Sequence, residues 1–180
     1  INSQFRPHFL YNTLNTIYWK CIKNGQEEIG HMVITLSKIM RYSIQPGIDL
    51  VTVKNDFEQL EHYLYLQKER YGDDLHVEVE LDPRIEQYFI PKLLLQPVIE
   101  NAMVHGLEPS LEIKKLKVVG KLAERHMLEF SVEDNGVGMT AEQRKQLMTS
   151  DLVVSSEGTG IGLNNLRRRL MAHYGSNYSI

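Results

Sequence analysis

The sequence predicts an α+β protein with a helical first region, residues 1–72, and a mixed second region, residues 73–180. Up to residue 71 the apolar side chains recur at the spacing of one helix face. Over residues 75–81, the run Leu-His-Val-Glu-Val-Glu-Leu alternates with a period of two, which is typical of a half-buried strand. Between these patterns, residues 71–74 have the composition of a loop. We therefore expect a domain boundary near residues 72–75.

The first region is expected to contain three amphipathic helices. The first ends at Asn24-Gly25, the second covers residues 27–43 before Pro46-Gly47, and the third covers residues 54–71. So few helices cannot enclose their own apolar stripes. Two arrangements would cover them: pairing with a second copy of the chain in a bundle, which we favour, and docking on the second region.

The second region is expected to alternate strands and helices. Pro91 should open an apolar helix over residues 92–104, followed by strands at 116–123 and 127–133. Thr140, with Gln143 three residues later, has the spacing of a capping box. Residues 148–157 show no clear period and are expected to form a mobile loop. The last helix is expected over residues 162–173, before Gly175.

The composition argues against a nucleic-acid-binding protein, a membrane-spanning segment and an internal disulfide. The chain has 180 residues, 42% of them hydrophobic, a net charge of −3 and a pI near 6.2, so it lacks the basic balance of a nucleic-acid-binding protein. No stretch reaches the ~20 apolar residues that span a bilayer. Cys21 is the single cysteine, which excludes an internal disulfide, and we interpret it as a packed side chain. Because the chain starts within a helical pattern and without Met, we expect it to be part of a longer protein.

Three short segments together predict a pocket for a nucleotide triphosphate: residues 96–106, 133–139 and 158–163. In the third, Gly158, Gly160 and Gly162 precede a helix. Glycines there leave backbone N–H groups accessible to phosphates at the positive end of the helix. Such a run alone is also compatible with a plain flexible turn.

The second segment places Asp134 at the end of a strand, just before Gly136 and Gly138. A carboxylate in that position can accept a hydrogen bond from an exocyclic amine such as that of adenine. The alternative is a turn aspartate that binds its own backbone.

The first segment places the polar pair Glu100 and Asn101 on an otherwise apolar helix. A buried polar pair must be hydrogen-bonded or functional, and an amide oxygen is a suitable ligand for Mg²⁺. His105 follows one turn later and could contact phosphate. Its alternative role is that of a histidine at a helix C-terminus, which the macrodipole favours.

A polar stripe near the start presents a candidate nucleophile. Gln4, His8, Asn12 and Asn15 fall at helical spacing on one face. An accessible imidazole is partly unprotonated near neutral pH, so a ring nitrogen of His8 could attack a γ-phosphate. An idle surface histidine is the alternative.

With these residues the chain resembles bacterial two-component sensor histidine kinases, and within them the LytS/YesM-type subgroup. The segment from Gln4 to Asn15 resembles the phosphoacceptor box, and the segment from Pro91 to Gly106 resembles the N box. Residues 134–139 resemble the G1 box, and residues 158–169 resemble the G2 box. The resemblance covers nearly the whole chain.

The resemblance implies a helical dimerisation and phosphotransfer domain followed by an ATP-binding α/β sandwich of the Hsp90/gyrase/MutL type. It implies that His8 is phosphorylated, that Asn101 binds Mg²⁺, that Asp134 contacts adenine and that residues near 140–160 form a lid over ATP. The expected ATP-binding set is Asn101, His105, Asp134, Gly136, Gly138, Gly158, Thr159, Gly160, Gly162 and Leu163. The family continues through further strands, which we expect to lie beyond Ile180.

Two further roles follow from the same resemblance. Many histidine kinases carry an acidic residue directly after the phosphoacceptor, whereas this chain has Phe9 there. Glu100 is our candidate for the base instead. Asn12, four residues after His8, matches the position at which many family members position water for dephosphorylation of the partner.

The implied partners are a second copy of the chain and a response regulator, for which the subgroup suggests a DNA-binding protein of the AraC type. No direct nucleic-acid contact is expected. The resemblance also suggests a cytoplasmic location in a protein anchored in the membrane through an upstream region. Two other functions remain: a serine kinase or ATPase of the same superfamily, and a dimeric scaffold that binds ATP without using it.

Overall fold

The computed structural model describes residues 7–144 and 161–180. The expected mobile loop at 148–157 and three of the predicted site residues, Gly158, Thr159 and Gly160, lie outside the described residues. Within the described residues, no helix is long and apolar enough to cross a membrane.

The first two helices form an antiparallel hairpin. Helix α1 covers Pro7–Lys23 and helix α2 covers Glu27–Ile44, and Gly25 makes the connection with φ +69°. Gly30 allows the helices to approach closely, since a Cβ there would lie 3.1 Å from Ile22 Cδ1. No residue of α1 is fully buried, and its large apolar side chains Phe9, Ile17 and Trp19 are exposed.

Helix α3 covers Val53–Tyr71 and follows a short strand, β1, at Leu50–Thr52. Thr52 caps the helix, because its side chain accepts a hydrogen bond from the N–H of Asn55 at 3.2 Å. One face of α3 is buried in the main hydrophobic core. The predicted division near residue 72 stays a prediction, and α3, placed in the first region by sequence, packs on the sheet of the second.

The main sheet has three strands in the order β2-β4-β5. Strand β2 covers Leu75–Leu81 and runs parallel to β4, Lys114–Leu122, which is antiparallel to β5, Leu128–Asp134. Leu75, Leu116 and Val118 are buried in the core on the face that packs on the helices. On the opposite face, Lys117 forms ion pairs with Glu78 and Glu80. The sheet is therefore half-buried, as the alternating pattern predicts.

The crossover between β2 and β4 differs from the predicted helix over residues 92–104. Pro91 ends a strand, β3 (Phe89–Pro91), which pairs with β1. Helix α4 covers only Gln96–Asn101, with Pro97 in its first turn, and continues as a π-helical turn, Ala102–Leu107. Pairing with β1, which is distant in sequence, overrides the local helix signal at Pro91.

The remaining elements follow the sequence closely. Thr140 and Gln143 form the predicted capping box: the Gln143 N–H donates to Thr140 Oγ1 at 3.2 Å, and the Thr140 N–H donates to Gln143 Oε1 at 2.8 Å. The final helix, α5, covers Ile161–Tyr174 and ends at Gly175, which has φ +60°.

Candidate functional site

The first two motifs meet through their backbones. The Val137 N–H donates to the carbonyl oxygen of Gly106 at 3.0 Å. A Cβ at Gly136 would lie 2.1 Å from that same oxygen, and a Cβ at Gly106 would lie 2.7 Å from Asp134 Oδ1. Both positions therefore require glycine for the close approach rather than for an unusual φ. The π-helical turn that continues α4 therefore lies against the end of β5. We call the surface formed by α4, this turn and the end of β5 the wall.

Asp134 adopts the turn geometry that the sequence analysis gave as its alternative. Its Oδ1 accepts a hydrogen bond from the Gly136 N–H at 2.9 Å. The residue is exposed, and Oδ2 accepts no hydrogen bond within the part of the chain that is described. The carboxylate is thus fixed in direction by its own turn, and one oxygen stays free for a ligand.

Asn135 holds this turn in place, and the sequence analysis missed it. Its Oδ1 accepts the N–H of Lys115 at 2.7 Å, and its Nδ2 donates to the Ile113 carbonyl at 2.9 Å. Both partners lie at the start of β4. The only signal in the sequence is an Asn between Asp134 and Gly136, which turn chemistry alone explains equally well.

Asn101, the last residue of α4, carries an unsatisfied amide. Its Nδ2 is buried and has no hydrogen-bond partner among the described residues. Since a buried polar group without a partner is costly, it commonly marks a ligand or ion. Gly162, in the first turn of α5, lies beside it: a Cβ there would be 4.0 Å from Asn101 Nδ2 and 3.3 Å from Pro97 Cβ. The third motif therefore meets the first.

The other predicted residues around this wall differ in exposure. His105 lies in the π-helical turn and is exposed, and Gly138 has φ +69° in open space. Leu163 is partly buried and packs against the core, so the described contacts give it a packing role.

Glu100 is exposed on α4 and accepts a hydrogen bond from Gln96 Nε2 at 2.8 Å. Burial, together with the nearby Glu100 carboxylate, raises the pKa of Tyr63 on α3 to about 12. The carboxylate is therefore accessible to solvent and lies on the side of α4 near Tyr63.

His8 and Asn12 contact each other at the start of α1. Asn12 Nδ2 lies 3.2 Å from His8 Nδ1, and both residues are exposed. The orientation of the Asn12 amide selects the tautomer of the His8 ring. If the Asn12 NH2 group donates to Nδ1, the ring proton lies on Nε2. An amide turned to accept from Nδ1–H leaves Nε2 with a free lone pair.

The structure therefore brings the three pocket motifs together but leaves α1 apart from them. No hydrogen bond or ion pair between described side chains joins His8 or Asn12 to Glu100, Asn101 or Asp134. The roles predicted for individual site residues stay predictions.

The wall carries polar groups that suit a nucleotide with its phosphates. It offers the buried Nδ2 of Asn101, an N–H donor that suits a phosphate oxygen, and a carboxylate oxygen of Asp134 that accepts no hydrogen bond within the described residues. An amide oxygen is a ligand that Mg²⁺ accepts, and a carboxylate oxygen can accept from an adenine amine. The residues present fit this ligand.

Comparisons with known proteins agree with this geometry. Residues 1–75 match the family model described as histidine kinase. Residues 90–180 match the model described as histidine kinase-, DNA gyrase B-, and HSP90-like ATPase.

Similar curated proteins include three sensor kinases. Sensor histidine kinase YesM of Bacillus subtilis is 34% identical over 180 residues, which is 100% of this chain and 30% of that protein. Sensor protein LytS of Enterococcus faecalis is 31% identical, over 98% of this chain and 30% of its own length. Sensor protein kinase HptS of Staphylococcus aureus is 32% identical, with 98% and 33% covered. The chain therefore spans about a third of the length of the relatives it matches.

Proposed function

Because this chain belongs to the family of histidine kinase-, DNA gyrase B- and HSP90-like ATPases and also matches the histidine kinase family over residues 1–75, we propose that it is the core of a sensor histidine kinase. It transfers the γ-phosphoryl group of Mg·ATP to His8. From His8 the phosphoryl group passes to an aspartate of a response regulator. The observation that carries the proposal is the buried amide nitrogen of Asn101, which lies beside Gly162 on the same wall as Asp134 and has no partner among the described residues.

The residues of the wall bind and orient the nucleotide. Asn101 would hold Mg²⁺ through its amide oxygen, and the free oxygen of Asp134 would accept a hydrogen bond from the adenine amine. When bound, Mg²⁺ neutralises charge on the phosphates. His105 is placed to approach phosphate from the π-helical turn. Gly158, Thr159, Gly160 and Gly162 supply backbone donors, so positioning and electrostatics provide most of the catalysis.

In the transfer step, His8 Nε2 forms a bond to the γ-phosphorus while the bond from that phosphorus to the bridging oxygen of ADP breaks. ADP leaves with the electron pair, and the ring proton passes to a base. Asn12 supports this chemistry when its amide oxygen accepts from His8 Nδ1–H, since Nε2 then carries the lone pair. Glu100, which is exposed to solvent, is the base we propose.

The decisive experiment is incubation with γ-labelled ATP and Mg²⁺. We expect the chain to incorporate label that is acid-labile and base-stable, and His8→Gln to abolish it. His76→Gln, a change of an exposed histidine on β2, is the matched control and should keep the label. Label retained in His8→Gln, or label stable to acid, would instead support a serine kinase.

The role of Glu100 is tested separately. Glu100→Gln keeps the side-chain size and should preserve ATP binding while it lowers autophosphorylation by about 10²-fold or more, as expected for loss of a general base. An unchanged rate of transfer would remove Glu100 from the mechanism.

Asn12 is proposed to position water for dephosphorylation of the response regulator. Asn12→Ala should slow that dephosphorylation, whereas Thr13→Ala, the next residue along the same exposed turn, should not. Equal dephosphorylation by Asn12→Ala and the unchanged chain would contradict the role.

We further propose that two copies pair through the hairpin, which leaves Phe9, Trp19 and Ile29 exposed by 64%, 66% and 49%. The longer protein is proposed to be anchored in a membrane, with this core on its cytoplasmic side. Its response regulator is proposed to bind DNA and to be of the AraC type.

A further inference from the structure

A single turn, Lys92–Leu94, joins the strand β3 to the helix that carries Glu100 and Asn101. Leu93 in this turn has φ +57°, a left-handed conformation that costs a residue with a Cβ about 1 kcal/mol or more. The strain persists only if other contacts hold the turn. Three other elements do so.

The first of these elements is α3, through Asp56. This side chain is buried, with 5% of its surface exposed. Its Oδ1 accepts the Leu93 N–H at 2.6 Å, and its Oδ2 accepts the Leu94 N–H at 3.1 Å. The two bonds fix the strained turn directly and aim the start of α4.

The second element is the C-terminal end of α2. The Tyr42 hydroxyl donates to Asp56 Oδ1 at 3.1 Å, which is the same oxygen that accepts from Leu93. Lys92 Nζ donates to the Gln45 carbonyl at 3.2 Å and lies 4.8 Å from the centre of the Tyr42 ring. The hairpin is therefore bonded to the turn at its last residues.

The third element is α5, whose Arg169 donates through Nη2 to the carbonyl oxygen of Lys92. This helix carries Gly162, the last glycine of the third motif, in its first turn. The turn thus contacts α3, the end of α2 and α5.

The pKa shifts of Asp56 and Tyr42 are consistent with Tyr42 as the donor and Asp56 as the acceptor. Burial raises the pKa of the Asp56 carboxyl, and the bonds from Leu93, Tyr42 and Leu94 act against that rise. Burial, and then the neighbouring Asp56, raises the pKa of Tyr42, so its hydroxyl keeps the proton that it donates. Three donors facing one carboxyl group suit an ionised acceptor.

The C-terminal end of α2, which is hydrogen-bonded to this cluster, lies beside the start of α1. The Tyr11 hydroxyl donates to the Met40 carbonyl at 3.4 Å, and the Arg41 guanidinium lies 5.2 Å from the centre of the Tyr11 ring. Tyr11 is three residues from His8. Asp56 Oδ1 therefore links two parts of the chain. It accepts from Tyr42, at the end of α2 that lies near His8, and from Leu93, in the turn that precedes Asn101.

Building on the proposed kinase function, we propose that Tyr42 and Asp56 are positioning residues that couple the orientation of the His8 hairpin to the turn before the ATP-binding helix. The pair acts through the backbone of Leu93 and Leu94 and touches neither ATP nor His8. Movement of α2 at Tyr42 then shifts the start of α4, and ordering of α4 by nucleotide restrains α2, because such coupling is reciprocal.

The variant that tests this is Tyr42→Phe. It keeps the ring that packs against Lys92 and removes only the hydroxyl. The matched control is Tyr18→Phe on α1, whose ring packs edge-on against Trp19 and whose hydroxyl has no hydrogen-bond partner among the described residues.

Amide hydrogen exchange measures the link without nucleotide or activity. We expect Tyr42→Phe to speed exchange at the Leu93 and Leu94 amides by about fivefold to tenfold, the size of one net hydrogen bond. Tyr18→Phe should change them by less than about twofold. Unchanged exchange in a folded Tyr42→Phe, or equal changes in both variants, would overturn the proposal.

Phosphorylation kinetics test the positioning role itself. Tyr42→Phe should lower the rate at saturating Mg·ATP by about fivefold or more while KM changes by less than about twofold. A loss confined to KM, or one matched by Tyr18→Phe, would contradict positioning. If the unaltered chain transfers no label while exchange still responds to Tyr42→Phe, the kinase proposal fails and the link between hairpin and turn stands.

Discussion

The hairpin α1–α2 and the region formed by α3 and the strands differ in how completely they bury their apolar side chains. In the hairpin, α1 has no buried residue, and the buried positions of α2 are Gly30, Thr35 and Ser37, none of them large and apolar. In the other region a continuous core includes fully buried Ile85, Ile99 and Leu107. The hairpin is shaped by local helix formation and close contact, whereas the pocket region is held by contacts between distant segments. Equal substitutions should therefore have unequal effects in the two regions.

The largest difference is expected for an isoleucine in each region. Ile99→Ala removes a side chain with 0% exposure and should lower the free energy of unfolding by about 2–5 kcal/mol. Ile29→Ala, at a position 49% exposed, should cost less than about 0.5 kcal/mol. Urea unfolding at a concentration where the chain is monomeric measures both. A large loss for Ile29→Ala would show that another surface covers the hairpin even in the monomer.

A pair of glycines sharpens the comparison at the level of function. Gly136→Ala places a Cβ against the Gly106 carbonyl and must separate the two pocket motifs, so nucleotide affinity should fall by about tenfold or more. Gly25→Ala meets no neighbour, but its φ of +69° strains the hairpin turn by about 1 kcal/mol. Its nucleotide affinity should stay unchanged. Fluorescent nucleotide titration and urea unfolding separate the two effects, and equal affinities in both variants would contradict the contact between motifs.

The helix caps give a smaller contrast. Thr52 caps α3 through its side chain, so Thr52→Ala should lower the free energy of unfolding by about 1 kcal/mol. Gln26 precedes α2 and makes no capping bond, so Gln26→Ala should change it by less than about 0.5 kcal/mol. Thermal unfolding of both variants is the measurement. Similar losses in the two variants would mean that the Gln26 side chain does cap α2 in solution.

The smallest effect is expected where the regions touch, at His62 on α3. Burial, and next the positive charge of Lys38 on α2, lowers the pKa of His62, although Glu58 and Glu61 oppose this and His31 adds to it. Because the folded pKa lies below the unfolded value of 6.5, stability is complete above that pH and declines as the pH falls through the window beneath it. His62→Gln should flatten the decline. Urea midpoints at about pH 7.5 and about pH 5.5 test this, and an unchanged slope would assign the decline to other groups.

Helices and strands with strong local patterns were predictable from the sequence. The helix stops at Gly25 and Gly175 and the Thr140–Gln143 capping box need only near neighbours to form. The strand over residues 75–81 pairs with a distant strand, but its alternating pattern marks it in the sequence. The α+β class was predicted from the change of periodicity and the family from the resemblance of its motifs, and the comparisons confirm both.

The sequence by itself thus determined which residue types stand at the predicted nucleotide site, because residue types and their spacing are local properties. Only the tertiary structure decided that Pro91 ends a strand, that Asn135 fixes the Asp134 turn and that a buried Asp56 receives Tyr42 and Leu93. Each of these depends on partners that are far apart in the chain. Such contacts leave no periodic signal, since they form only when the whole chain has folded.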